Sequence, residues 1–179
     1  NASSRQVSAE FEQQVGDRVT VSAGYSYLRG SNLLMSVNQN VPTCVAAGTN
    51  NGCRPTASYA NDNQYSSVGA SQYDGLHVSI TERTRHWGQY RVSYSLSKSM
   101  NNVGEFFFSS PIDPTDLSKD WGRSDNDQRH RLTANGAVVL AGFQVGGLIQ
   151  AYSAPPFNIT SGLTTVQRTA GRPVVNGTF

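Results

Sequence analysis

Apolar and polar residues alternate one by one along three separated stretches of the chain. From Gln6 to Val15, Val7, Ala9, Phe11 and Val15 fall on one side, with Ser8, Glu10, Glu12 and Gln14 on the other. A period of two marks a β-strand with unlike faces. Beyond a tight turn at Gly16-Asp17, Val19, Val21, Ala23, Tyr25 and Tyr27 oppose Thr20, Ser22, Gly24 and Ser26, which predicts a hairpin over 6–29. A second hairpin is predicted over 74–98, with Leu76, Val78 and Ile80 and then Tyr90, Val92, Tyr94 and Leu96 on the apolar face. The third, over 130–153, carries Leu132, Ala134, Val138 and Leu140, turns at Ala141-Gly142 and returns through Phe143, Val145, Ile149 and Ala151.

Between these hairpins the period disappears. Segments 30–71, 99–128 and 154–179 are rich in Asn, Ser, Gly and Pro and read as long loops; the second holds the aromatic run Phe106-Phe107-Phe108. Short turns that alternate with long excursions are the rhythm of an up-and-down membrane barrel, whose turns on one side are short and whose loops on the other are long. About ten residues per strand, tilted near 45°, reach across roughly 23 Å, which matches the apolar band of such barrels. The prediction is an all-β chain of about six antiparallel transmembrane strands, a partial barrel in one segment covering 1–179, with no plug domain. Tyr25, Tyr27, Trp87, Tyr90, Tyr94 and Phe143 are placed as an interfacial aromatic girdle.

Composition strengthens this reading. Hydrophobic residues make up 37% and charged residues 15%, so uncharged polar side chains take the place of charge, as a crowded wet lumen requires. No apolar run approaches the 18 or so residues of a membrane helix, and Asn1 to Arg5 shows no export signal. The turn-rich end at Phe179 lacks the alternation of a final strand, so an interrupted or cut reading frame is expected there. A net charge of +2 with scattered Lys and Arg excludes a nucleic-acid partner. Cys44 and Cys53 share one polar loop and are expected to form a disulfide, the pattern of an oxidising compartment.

Other chemistry is weighed and declined. His77, His86 and His130 with the many serines could supply a hydrolase triad, but no G-x-S-x-G elbow occurs, and no catalytic residue or cofactor is assigned. Asp113, Asp116, Asp120, Asp125 and Asp127 are calcium candidates by ligand type, yet they lack the D-x-D-x-D-G register. No metal is assigned; the alternative pairs these acids with Arg123, Arg129 and Arg131 at the barrel rim. A secreted β-sandwich binding or adhesion module is the competing fold, because one apolar face per strand also suits a second sheet.

Several ordered motifs point to a family. Tyr73-Asp74-Gly75-Leu76-His77-Val78-Ser79-Ile80 followed by Arg83, then Tyr94-Ser95-Leu96-Ser97-Lys98-Ser99, resembles paired strands of Oar-like TonB-dependent receptors, outer-membrane proteins with a carboxypeptidase-regulatory-like domain. Ser124-Asp125-Asn126-Asp127-Gln128-Arg129-His130-Arg131-Leu132 resembles that family's passage from loop to strand. Ser153-Ala154-Pro155-Pro156-Phe157-Asn158-Ile159-Thr160-Ser161-Gly162, with Gly171-Arg172-Pro173 beyond, resembles its strand exit. The resemblance implies a barrel of about 22 strands with a plugged lumen in the bacterial outer membrane, importing a nutrient through TonB. The expected partners are outer-membrane lipid, the remaining strands and plug of a full receptor, and TonB by way of N-terminal parts outside this chain.

Overall fold

The computed structural model describes residues 1–43, 53–83, 87–103, 111 and 113–157. The chain forms β1 (Ser3–Val15), β2 (Val19–Asn38), β3 (Asn63–Arg83), β4 (Gly88–Asn101), a one-turn 3-10 helix at Leu117–Asp120, β5 (Gly122–Arg123), β6 (His130–Leu140) and β7 (Phe143–Tyr152). All strands join one antiparallel sheet in the order β1-β2-β3-β4-β6-β7, with the two-residue β5 against β4. Among the described residues β1 and β7 do not pair, so the sheet is not closed. No helix there is long and apolar enough to cross a membrane.

Two of the tight turns, β1–β2 and β6–β7, follow from local chemistry. Gly16 has φ 64, and Ala141 and Gly142 have φ 50 and 84, the two positive values that a mirror-image hairpin turn needs to match the twist of its strands. Leu140 and Phe143 close over that turn as a direct cross-strand pair.

The register aligns residues of like alternation into rows. One row runs Phe11, Ala23, Val78, Tyr94, Leu132, Ala151, and the next runs Gln13, Val21, Ile80, Val92, Ala134, Ile149. This is the apolar face, and it is the exposed one: Leu76 is 45% accessible, Leu132 40% and Ile149 68%. On the other face Ser22 and Ser79 are each 5% accessible and share a hydrogen bond of 2.9 Å between their hydroxyls. The distribution is the reverse of a water-soluble fold. A second sheet over the apolar face, as a sandwich requires, is absent among the described residues.

The strands run further into the connections than the alternation predicts. β2 extends to Asn38 and β3 starts at Asn63, so the first long connection is 39–62 and not 30–71. The cause lies in the pairing: Ser31 opposes Ala70, Leu33 opposes Gly69 and Leu34 opposes Ser67. One extra residue, Asn32 (φ 57), sits in β2 and one, Val68, in β3. Each bulge shifts the alternation by a residue and hides the strand from a period-two reading. β1 likewise begins at Ser3 rather than at 6, and β4 ends at Asn101 rather than at 98. Past the bulges Met35 and Val37 are buried while Leu34 is exposed.

Candidate functional site

The outward apolar face is bounded at both ends. In β3 it lies between Asp74 and Glu82, eight residue steps that span about 26 Å along the strand. The band slips along the sheet: it covers Val7 to Val15 in β1, but Leu132 to Leu140 in β6. A level band that crosses tilted strands must slip in this way. Tyr25, Tyr27, Tyr90 and Tyr94 lie on this face, and the hydroxyls of Tyr25, Tyr90 and Tyr94 find partners near its rims. Tyr25 donates to Asp74 Oδ1 (2.8 Å), Tyr90 donates to Glu82 Oε2, and the Tyr94 hydroxyl bonds His130 Nδ1 (2.8 Å). Amphipathic rings with the body in lipid and the tip on a polar partner suit a membrane interface.

The inner face carries Ser22, Thr20, Ser79, Ser93, Ser95, Thr133 and Gln150 with the ionisable side chains Glu10, Glu12, His77, Arg83, Arg91 and Arg131. His77 reaches across β2 to Glu10 on β1, Nε2 to Oε1 3.4 Å. The residue it crosses is Gly24; a Cβ there would lie 2.3 Å from His77 Cε1, so only glycine admits this bridge. Near the short turns, Arg83 and Arg91 line a concavity of about 670 Å³ with Thr81, Gln89 and Asn135. A face of this make-up suits the polar, hydrated interior of a membrane barrel.

The motif around Asp127 is a clamp. Asp127 is buried; Oδ1 accepts from the Ser99 amide (2.8 Å) and Oδ2 from Arg123 Nε (2.6 Å). The Ser97 amide donates to the Arg129 carbonyl (3.0 Å), and the His130 amide donates to Ser153 Oγ (3.1 Å). Asp125 sits in the turn closed by the Asp127 amide on the Ser124 carbonyl (2.9 Å). These bonds tie the second long connection to β4 and deliver the chain into β6 and β7.

The remaining acids form a second group. Lys119 Nζ lies 2.6 Å from Asp113 Oδ2 and 3.8 Å from Asp116 Oδ2. Bonds from Lys119 and Thr115 lower the Asp113 carboxyl to about 2; Ser118 lowers Asp116, and Asp113 raises Lys119. The five aspartates are thus divided between two places, and the cation beside Asp113 and Asp116 is a lysine that the arginine pairing did not include. Among the described residues no three His, Cys, Asp or Glu side chains form a metal-holding group.

Other expected site residues are dispersed. Arg83 ends β3 and its amide donates to the Arg18 carbonyl (3.0 Å); Lys98 opposes Asp74 on the outward face; Arg131 opposes Ser95 on the inner one. Cys53 opens a turn, its carbonyl accepting from the Thr43 amide and hydroxyl (2.9 and 2.8 Å). Cys44, His86, Phe106 to Phe108, and the strand-exit motif from Asn158 onward with Gly171-Arg172-Pro173 lie outside the described residues. The described imidazoles, His77 and His130, bond Glu10 and Tyr94. Sequence reasoning missed the Ser22–Ser79 contact and the buried Asn40, whose Nδ2 donates to the carbonyls of Thr56, Tyr59 and Ala60. Both join residues remote in the chain, and no local pattern marks them.

A family model described as an outer membrane beta barrel domain matches residues 1–178. No curated relative and no solved structure matches the chain.

Proposed function

Because this chain belongs to the outer membrane beta barrel domain family and lies in the bacterial outer membrane, we propose that it forms part of the wall of a TonB-dependent, Oar-like receptor. Such a wall serves nutrient uptake or surface binding and is not itself an enzyme. The observation that supports a wall is the reversed distribution of residues, with apolar side chains exposed and hydroxyls buried on the opposite face. The finer receptor reading draws on the ordered motifs from Tyr73 to Gly162. The exposed outer edges of β1 and β7 would pair with further strands, since unpaired backbone groups in lipid are costly.

The reading is tested on the full reading frame. Upstream sequence with a plug-like domain, and retention of the purified full-length protein on immobilised TonB periplasmic domain, are the expected results. A frame that closes a barrel without a plug and does not bind TonB sinks the receptor reading. The cysteine pair belongs to the same proposal: Cys44 and Cys53 close a loop on the oxidising side of the membrane, and no free cysteine is found among the described residues. Intact-mass analysis with an alkylating agent should show no modification before reduction and two modifications after it.

A further inference from the structure

The basic residues of the strands are distributed unequally over the outward face. At the end of the band that leads into the long connections, the first position past the apolar stretch is Arg5 in β1, Arg29 in β2, Asp74 in β3, Lys98 in β4 and His130 in β6. At the short-turn end the corresponding β3 residue is Glu82, and its β4 neighbour is Tyr90. Arg83, Arg91 and Arg131 fall on the inner face by their alternation. The outward-facing strand cations therefore gather at one rim.

Two of them stand where repulsion is greatest. Arg5 and Arg29 are direct cross-strand partners, both exposed, and among the described residues no carboxylate reaches either one. Like charges directly opposed destabilise a sheet unless an anion lies between them. Asp74 does not serve, because its two oxygens already accept from Tyr25 and Gln72. Lys98, the next cation across the sheet, directly opposes the Asp74 carboxylate, so the unmatched pair is Arg5 and Arg29.

We propose that Arg5 and Arg29 bind the phosphate group of an anionic lipid headgroup in the outer leaflet. The two guanidinium forks offer paired donors to a phosphate monoester at headgroup depth. The position selects lipid over free phosphate: the cations sit on the lipid-facing side, where the acyl chains of the same molecule would cover Tyr27, Leu76 and Leu96 below them.

Native mass spectrometry of the full-length protein in zwitterionic micelles, with phosphatidic acid or phosphatidylcholine added, tests this. Phosphatidic acid should be retained about tenfold better than phosphatidylcholine, and Arg5→Gln with Arg29→Gln should remove the preference. Arg83→Gln with Arg91→Gln, on the inner face, should leave it intact. Equal retention by the Arg5 and Arg29 variant, loss in the inner-face variant, or full displacement of the lipid by inorganic phosphate overturns the proposal. A chain that folds in the micelle but has no lipid preference defeats this inference alone. Absence of β-structure in the full-length protein under these conditions removes the barrel wall and this site together.

Discussion

Within β2, two stretches on either side of the Asn32 bulge obey opposite rules. Below it Ala23 and Tyr25 are exposed while Ser22 and Gly24 are buried; above it Leu34 is exposed, but Met35 and Val37 are buried together with the polar Ser36 and Asn38. The residues are of similar kind and the strand is continuous, so the difference lies in what surrounds each stretch. The lower stretch borders lipid on its apolar side, where exposure costs nothing, whereas the upper one is covered by long connections in water and buries its apolar residues in the ordinary way. The bulge at Asn32, matched by Val68 in β3, separates the two regimes.

The sharpest way to break this comparison is to place a charge on adjacent residues of β6 that face opposite ways. Ala134→Arg puts a cation inside the outward band, two outward positions in from the His130 rim, and should cost about 2 kcal/mol. Thr133→Arg, one step along on the inner face, should cost less than half of that. Guanidinium titration in lipid vesicles gives both values. Equal costs would mean that the exposed face is not the lipid face.

A second variant probes the region above the bulge. Met35 is 3% accessible, and Met35→Ala should remove about 2–3 kcal/mol of local stability by leaving a cavity. Amide exchange should quicken over 36–40 and remain slow over 76–80. Exchange that quickened equally in both places would join the two regimes into one cooperative unit and erase the boundary at Asn32.

The sequence shows the lower regime plainly and the upper one poorly, for a physical reason. Alternation reports a strand only while its two faces meet different surroundings, so Val19 to Tyr27 and Leu76 to Ile80 are legible. Once Asn32 and Val68 each insert a residue, the pattern Leu33-Leu34-Met35-Ser36-Val37 has no simple period, although it is still a strand. The clamp at Asp127 is visible as a motif but not as a mechanism, because its partner is the amide of Ser99, 28 residues away. Composition locates the aspartates near basic residues but cannot decide between Lys119 and an arginine for Asp113. That choice depends on the 3-10 turn, which Asp116 starts by accepting from the Ser118 amide (3.2 Å).

That turn gives the smallest expected effect and a further contrast with the membrane band, because in water its order depends on pH. Asp113 titrates near 2 in the folded chain, below the usual 3.8, so its pairing stabilises the turn above about pH 4 and is lost as pH falls towards 2. Lys119 moves the other way: its raised value keeps the pair charged on the alkaline side until the lysine deprotonates. The Trp121 amide donates to Ser118 (3.1 Å), so its indole reports on the turn once Trp87→Phe removes the other tryptophan. Emission should change between about pH 4 and pH 2, and Asp113→Asn should abolish that step. The inner hydroxyl pair Ser22–Ser79 has no titrating group and should keep the strands together throughout. An emission change centred well above pH 4, or one that survives in Asp113→Asn, would assign the turn's order to a different carboxylate.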